Sequence, residues 1–308
     1  MEPNTLNEGS DNQADANRDM PLITPFNSNV VASITTGEPC PTCRGGAGST
    51  PISYIYAFGD GLDVCIPNSG LEKEIAQVAS REDTAGKTDQ QVLDEVLAKP
   101  ENRYLVYDLR WQFRIHGQIT YFLEPRHREG LDALLAAYRY GHINKPCYYI
   151  IVGQLGPIAP PDYCNGVTVP RAGVDNIYYA TSDEFMKSIP RSEEQNAEQF
   201  ERAATQLLDM LTDNPGATDE GRAFHYAAAR VPGIYDEVKK QFDENFSLKA
   251  VEGRPAPHYG PLRRRTDIVL TFENRTNGVR RKSFIRIDTT DKYPSLDTPV
   301  SPYYDRQF

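Results

Sequence analysis

The sequence lacks any long apolar run and has little positive charge. Its 308 residues contain no stretch near the ~20 apolar residues that a membrane-spanning helix needs. The first thirty residues are polar and acidic, so no secretory signal is visible and a cytoplasmic location is expected. Lys and Arg number 33 against 43 Asp and Glu, a net charge of −10 that excludes a globally basic nucleic-acid-binding protein.

Catalytic and nucleotide-binding motifs are also missing. The string AGKT at residues 85–88 ends like a phosphate-binding loop, but Arg81 stands where the first glycine is required. There is no GxSxG motif, and no two of the five histidines have a metal-binding spacing. These absences favour a protein without catalytic activity. The alternative is an enzyme whose site forms only in space, for example around His127 or His225.

Cysteines are few, and their odd number, five, is too small for a disulfide scaffold. Cys40 and Cys43 have the spacing with which two thiolates chelate a soft tetrahedral ion such as zinc. Structural zinc takes four ligands, so the other two would come from Cys147 and Cys164 or from the same pair in a second chain. Two alternatives stay open: a flexible pair without metal, or a redox motif, although glycines follow where a thioredoxin-like motif has a helix.

Charge and aromatic content divide the chain. Residues 1–50 carry six acids, two bases and one aromatic residue, Phe26, which predicts a flexible acidic tail that contains the cysteine pair. From residue 51 the pattern is that of a folded protein. We expect a first α+β domain over 51–145 and a second over 146–308, the second with a helix pair and a C-terminal β-hairpin.

The first domain is predicted to mix strands and helices. The apolar and β-branched residues 52–58 predict a strand, and residues 104–115 and 119–123 predict a hairpin. After Pro125 a helix is predicted by four apolar residues with i, i+3, i+4, i+7 spacing, namely Leu131, Leu134, Leu135 and Tyr138.

The second domain is predicted to begin and end with strands. One strand precedes residues 166–181, which we interpret as a strand pair with a turn near Gly173. Two amphipathic helices follow, and Pro232 should kink or split the second. Residues 266–273 and 282–289 then predict a hairpin. The sum is an α+β fold with antiparallel sheets and a helix pair between two strand-rich segments.

Basic residues concentrate near the end of the sequence. Residues 253–286 hold nine bases and two acids, so the rest of the chain carries about −17. Six of the bases gather at the ends of the predicted hairpin: Arg263, Arg264, Arg265, Arg280, Arg281 and Lys282. We expect them to bind an acidic peptide or an acidic partner. The alternative is protection of an exposed hairpin. No aromatic residues alternate with the arginines, which argues against single-stranded nucleic acid.

Several pieces of the sequence follow one another in a recognisable order. They are the cysteine pair at 40–43, the strand at 54–59, the strand pair around 104–109 and 119–125, the helical string GRAFHYAAA at 221–229, and the strands at 267–272 and 284–288. This order resembles the C-terminal region of cyanobactin maturation proteases of the PatG type. In that family a domain of unknown function follows a subtilisin-like macrocyclase. The resemblance runs from about residue 40 to the end.

The resemblance implies a role in maturing a ribosomally made peptide but no particular reaction, because the family's domain has no assigned chemistry. The subtilisin-like domain does not occur in these residues, so no catalytic triad carries over. We expect a non-catalytic accessory or scaffold protein that self-associates and binds a precursor peptide or a partner enzyme, such as a subtilisin-like protease. The alternatives are a peptide-processing enzyme with an unrecognised active site and a general protein-interaction module.

Overall fold

The computed structural model describes residues 53–80, 85–189, 197–256 and 263–304. Within these ranges the chain forms eight α-helices and ten strands, and the strands lie in two sheets. This arrangement confirms the predicted α+β fold. The predicted tail over 1–50, with its cysteine pair, lies outside the described residues.

Helices and strands follow one another without a regular repeat. The helices are α1 (Ser69–Ala79), α2 (Asp89–Ala98), α3 (Arg103–Asp108), α4 (Arg128–Ile143), α5 (Ser182–Ser188), α6 (Ala197–Thr212), α7 (Asp219–Arg230) and α8 (Pro232–Asp243). The strands are β1 (Tyr54–Gly59), β2 (Gly61–Cys65), β3 (Arg110–Ile115), β4 (Gln118–Pro125), β5 (Cys147–Ile158), β6 (Pro170–Thr181), β7 (Phe246–Pro255), β8 (Arg265–Asn274), β9 (Arg280–Asp288) and β10 (Ser295–Pro302).

The larger sheet has six strands in the order β1-β5-β6-β4-β3-β2, and its neighbours are antiparallel except for the parallel pair β4 and β6. Strands β1 and β2 therefore lie at opposite edges, although only Asp60 separates them in the sequence. Two Cα–Cα steps span at most about 7.6 Å, so the sheet curves enough to bring the end of β1 next to the start of β2. Gly59 permits this close approach, because a Cβ there would overlap the carbonyl oxygen of Arg114.

The six-stranded sheet lies between two apolar cores. Successive side chains of a strand point to opposite faces. In β1, Ile55 and Ala57 pack with residues of α1–α4, whereas Tyr56 and Phe58 pack with α5–α8 and the smaller sheet. Helices α5–α8 thus fill the space between the two sheets.

The smaller sheet is an antiparallel meander in the order β10-β9-β8-β7. Its centre confirms the predicted hairpin: Ile268 lies opposite Ile285, and the turn contains Gly278 with a φ of 70°. Strand β7, which the sequence analysis missed, has a register shift between Leu248 and Ala250. Strands β7 and β10 are the edges of this sheet.

Two details of the predicted secondary structure are wrong. Residues 104–108 belong to α3, where Leu105 and Val106 are buried while Tyr104 and Tyr107 are exposed; this short apolar run fits a helix as well as a strand. The predicted turn at Gly173 lies instead inside the single long strand β6.

Pro232 splits the predicted helix, as expected. Helix α7 ends at Arg230, and α8 begins with Pro232 at its first position, where a missing N–H costs nothing. Residues 213–218 connect α6 to α7. The predicted domain boundary at residues 145 and 146 falls between α4 and β5, and strands from both sides of it share the six-stranded sheet.

The cysteines beyond residue 53 are not arranged as the sequence predicted. Cys65 and Cys164 form a disulfide with Cα atoms 6.4 Å apart. The Cys147 thiol is buried and donates a hydrogen bond to the Ala180 carbonyl at 3.0 Å. Because the Cys164 sulfur is in the disulfide, the expectation that Cys147 and Cys164 complete a zinc site is wrong.

Candidate functional site

The tip of the β3–β4 hairpin meets the end of α6. The two tip residues, His116 and Gly117, have φ values of 48° and 72°. The Gly117 N–H donates to the Asp60 carboxylate at 3.1 Å, and His116 Nε2 lies 3.0 Å from Thr212 Oγ1. The Thr212 hydroxyl donates to the Leu208 carbonyl, so its oxygen accepts from Nε2–H of the imidazole. These bonds fix an exposed histidine beside the end of a helix.

The connection between α6 and α7 covers the open edge of β1. The Tyr56 N–H donates to the Gly216 carbonyl at 3.0 Å, and the Tyr121 hydroxyl donates to the Pro215 carbonyl at 2.6 Å. Gly216 has a φ of 66°, and a Cβ there would collide with the Tyr56 carbonyl. The Asn214 side chain accepts from the Gly216 N–H at 2.9 Å, which holds the turn. The connection is therefore anchored to both β1 and β4.

A cleft of about 510 Å³ opens between the hairpin tip and this connection. Its apolar floor is formed by Ile115, Ile119, Tyr121, Leu155, Pro170, Pro215 and Ala217. A second hollow of about 630 Å³ shares His116 and Asp213 with the cleft and reaches Ala250 and Val251 on the edge strand β7. We call the two together the hairpin groove. It joins the edge of the smaller sheet to the hairpin tip of the larger one.

Two carboxylates stand on the rim of the hairpin groove. Asp209 lies in the last turn of α6 and Asp213 directly follows that helix; both are exposed. The last turn of α6 contains no basic residue, and neither carboxylate forms an ion pair with another described residue. The rim is therefore negative beside an apolar floor.

His225, a candidate from the sequence, lies beneath the groove and is fully buried. Its Nδ1 accepts a hydrogen bond from the Phe58 N–H at 2.7 Å. Like the Tyr56 N–H, this amide lies on the open edge of β1. Burial lowers the pKa of His225 to about 3, so the ring is neutral. His127 is exposed at the start of α4. Neither ring lies against a cysteine or carboxylate among the described residues, so neither supports the catalytic alternative.

His142 is a titratable group that sequence reasoning missed. It lies in the last turn of α4, with Nε2 3.6 Å from an Asp63 oxygen and Nδ1 3.5 Å from an Asp94 oxygen. Burial alone would lower the pKa of His142, but the two carboxylates outweigh burial and raise it to about 9. The side chain is 4% exposed, so a substrate has no access to the imidazolium. The two carboxylates belong to Asp63 in β2 and Asp94 in α2, and the sequence spacing of these residues does not predict their contact with His142.

The glycine-lysine string of the sequence analysis is a helix start. The Thr88 hydroxyl accepts from the Gln91 N–H, and the Gln91 side chain accepts from the Thr88 N–H, a capping box that begins α2. Lys87 lies 2.7 Å from Glu95. Both side chains stabilise the local structure.

The predicted basic cluster divides between the two ends of the β8–β9 hairpin. At the open end Arg263 and Arg265 lie 3.5 and 3.1 Å from Asp288, and Arg264 lies 3.5 Å from Asp219. The Arg263 side chain is nevertheless 63% exposed. Arg263 and Arg264 thus lie among acids of the same chain and still face solvent, whereas the Arg265 side chain is only 11% exposed.

The other three bases lie at the turn of the hairpin. Arg280 is 3.2 Å from Glu273, Arg281 pairs with Glu244, and Lys282 follows them on β9. The Arg280 side chain is 70% exposed. The tertiary structure therefore makes two separate basic patches, each accompanied by carboxylates, and not one continuous surface.

The architecture defines this chain as a two-sheet α+β protein of the kind seen in one solved structure, "PatG Domain of Unknown Function". The two superpose with a TM-score of 0.63 over 82% of this chain and 98% of that chain, at 15% sequence identity. Identity this low establishes a shared fold and nothing more.

The sequence carries the family assignment. The model of the family described as "PatG Domain" matches residues 54–245, and the model described as "PatG C-terminal" matches residues 194–303. The first match covers more than half of the chain, so the chain belongs to the PatG Domain family, which confirms the resemblance. No curated protein matches. Within the part of the chain that the structure describes, no helix is long and apolar enough to cross a membrane.

Proposed function

We propose that this chain is a non-catalytic accessory protein in the maturation of ribosomally made, cyanobactin-like peptides, and that the hairpin groove binds the precursor peptide. Family membership supports the biosynthetic context. The groove supports peptide binding, because concave surfaces with an apolar floor and a few polar groups are where proteins bind extended ligands.

The observation that carries this proposal is the continuity of the groove. His116 and Asp213 line both hollows, so a ligand can extend from the cleft to Ala250 and Val251. Strand β7 pairs only with β8 among the described strands, which leaves its second edge for main-chain hydrogen bonds. Peptides that add to a sheet edge gain affinity from such bonds and specificity from adjacent pockets.

A partner enzyme, such as a subtilisin-like protease, is the second ligand that we propose. The two arginine patches are its docking points in this proposal, because Arg263 and Arg280 are more than half exposed despite their acidic neighbours. An acidic surface of the partner enzyme would replace the carboxylates that these arginines contact in their own chain. Such an exchange contributes more to specificity and association rate than to affinity.

Zinc binding by Cys40 and Cys43, shared between two self-associated chains, stays a prediction, and metal analysis of the full chain with its oligomeric state tests it. Among the described residues no group of three or more His, Cys, Asp or Glu side chains could hold a metal ion.

A cytoplasmic location also stays a prediction. The Cys65–Cys164 disulfide argues against it, because such bonds are rare in reducing compartments.

The groove is tested with a labelled full-length cyanobactin precursor peptide and two matched variants. Thr120→Trp places a bulky ring in the cleft, whereas Thr298→Trp makes the same change on the half-buried edge strand β10. We expect fluorescence anisotropy to show at least tenfold weaker binding for Thr120→Trp and unchanged binding for Thr298→Trp. Equal binding by all three proteins, or no saturable binding to the wild type, would contradict the proposal. Mass spectrometry that detects a modified or cleaved peptide would establish the enzymatic alternative.

A further inference from the structure

The end of α6 breaks two rules of helix electrostatics. Asp209 and Asp213 are four residues apart, and the Asp213 N–H donates to the Asp209 carbonyl at 3.0 Å, so the two carboxylates are neighbours on one helical face. Like charges at this spacing repel. The helix C-terminus is also the negative end of the helix dipole, where acids are unfavourable and cations favourable.

Helices α5, α7 and α8 follow the rule that α6 breaks, whereas α1, α2 and α3 also lack a basic residue in the last turn. Lys187, Arg230 and Lys240 lie in the last turns of α5, α7 and α8. The last turn of α6 has no basic residue, and no described residue forms an ion pair with Asp209 or Asp213. Local rules that are broken without a compensating contact occur preferentially at functional sites.

Asp213 lies where the two hollows of the hairpin groove meet, and Asp209 lines the second hollow beside it. On one side is the apolar floor of the cleft, which includes Ile115, Tyr121 and Leu155. On the other side are Ala250 and Val251 on the edge of β7. A ligand that complements the two carboxylates, the apolar floor and the edge of β7 carries a cation at its centre, apolar groups on one side, and a backbone able to pair with a strand edge.

We propose that the hairpin groove binds an extended peptide segment in which a Lys or Arg side chain lies between Asp209 and Asp213 and neighbouring apolar side chains fill the cleft. This inference rests on the proposed function and adds the chemistry of the bound segment. Charge complementarity selects this occupant: the carboxylates repel acidic peptides and nucleic acids. The apolar stem of Lys or Arg packs on the floor while its head reaches the rim.

The test uses two labelled ten-residue peptides that differ at one central position, Lys or Glu, flanked by the same Leu and Val residues. For the wild type we expect at least tenfold tighter binding of the Lys peptide at low ionic strength. The preference should shrink as salt screens the exposed charges. Asp209→Asn with Asp213→Asn should remove the preference. Asp243→Asn, which changes an exposed acid at the last residue of α8, should leave it intact.

The double variant is expected to fold, because it removes a repulsion. A melting temperature equal to or above that of the wild type supports a ligand role for the two acids, whereas a clear decrease would show that they stabilise the fold and would overturn the inference. Equal affinity of the wild type for the Lys and Glu peptides would also overturn it. The proposed function survives that result if precursor binding is still lost in Thr120→Trp, and fails separately if Thr120→Trp binds as the wild type does.

Discussion

The two edges of the six-stranded sheet are covered in different ways. The edge of β1 is covered by backbone hydrogen bonds: Tyr56 donates to Gly216, and Phe58 donates to the neutral ring of His225. The edge of β2 is covered by charge and by a covalent bond. His142 lies beside Asp63 there, and Cys65 at the end of the strand is bonded to Cys164.

The comparison shows that the same residue type serves as a neutral acceptor at one edge and as a cation at the other. Burial opposes the charged form of both histidines. At His225 burial dominates and the pKa falls to about 3. At His142 burial is outweighed by Asp63 and Asp94, and the pKa rises to about 9. The balance between burial and carboxylate partners decides the charge state.

Breaking the covalent link at the β2 edge should have the largest effect on stability. Cys65→Ser removes a crosslink between residues 99 apart in the sequence. A loop of this size predicts a loss of about 5 kcal/mol of unfolding free energy, because the unfolded chain gains conformational freedom. Urea denaturation of wild type and variant measures the difference.

The control for this prediction is reductant. Dithiothreitol should destabilise the wild type to the level of Cys65→Ser and leave the variant unchanged. Thiol titration of the unfolded, unreduced chain should find at most three free thiols among the five cysteines. Five free thiols would mean that the β2 edge is held without a covalent bond.

Removing the acceptor at the β1 edge should have the next largest effect. His225→Ala leaves the buried Phe58 N–H without a partner and opens a cavity at a residue that is 0% exposed. We expect a loss of about 3 kcal/mol from the two effects together. His225→Asn keeps an acceptor oxygen near the position of Nδ1 and should lose clearly less. If both variants lose the same stability in urea denaturation, the hydrogen bond to β1 is not what His225 contributes.

The opposite protonation states of the two histidines predict opposite pH dependences of smaller size. The folded-state pKa of His142 lies above the ordinary ~6.5, so its stabilisation is complete below that pH. About 2 kcal/mol of it should be lost between pH 7 and pH 9. The folded-state pKa of His225 lies below the ordinary value, so a similar loss should occur on acidification from pH 6.5 toward pH 4.5.

Two variants separate these contributions. In thermal melts at several pH values, His142→Gln should flatten the alkaline side of the stability profile, and His225→Asn should flatten the acid side. A profile in which both variants alter the same side would refute the assignment of one charged and one neutral histidine.

Local patterns in the sequence predicted much of the fold. The residue patterns over 266–273 and 282–289 predicted the hairpin of β8 and β9, because the strand period depends on nearby residues. Residues 104–108 were assigned to a strand because a short apolar run has no period long enough to separate the two states. Strand β7 was missed because only Phe246 and Leu248 of its ten residues are buried, which leaves little alternation to detect.

The candidate site was far less predictable. His116 is separated from Asp209 and Asp213 by about a hundred residues in the sequence, and the groove exists only because the hairpin tip meets the end of α6. The one signal in the sequence was a pair of acids at the wrong end of a helix. The basic residues lie at the two ends of the hairpin, where the sequence analysis placed them, and form two patches.

By itself the sequence determined the α+β class, most helices and strands, and membership of the PatG Domain family, because these depend on local periodicity and on the order of motifs. The tertiary structure decided which cysteines are bonded, which histidine is charged, and where a ligand can lie. Those properties depend on contacts between residues far apart in the chain, and only the folded backbone determines which groups share an environment that excludes water.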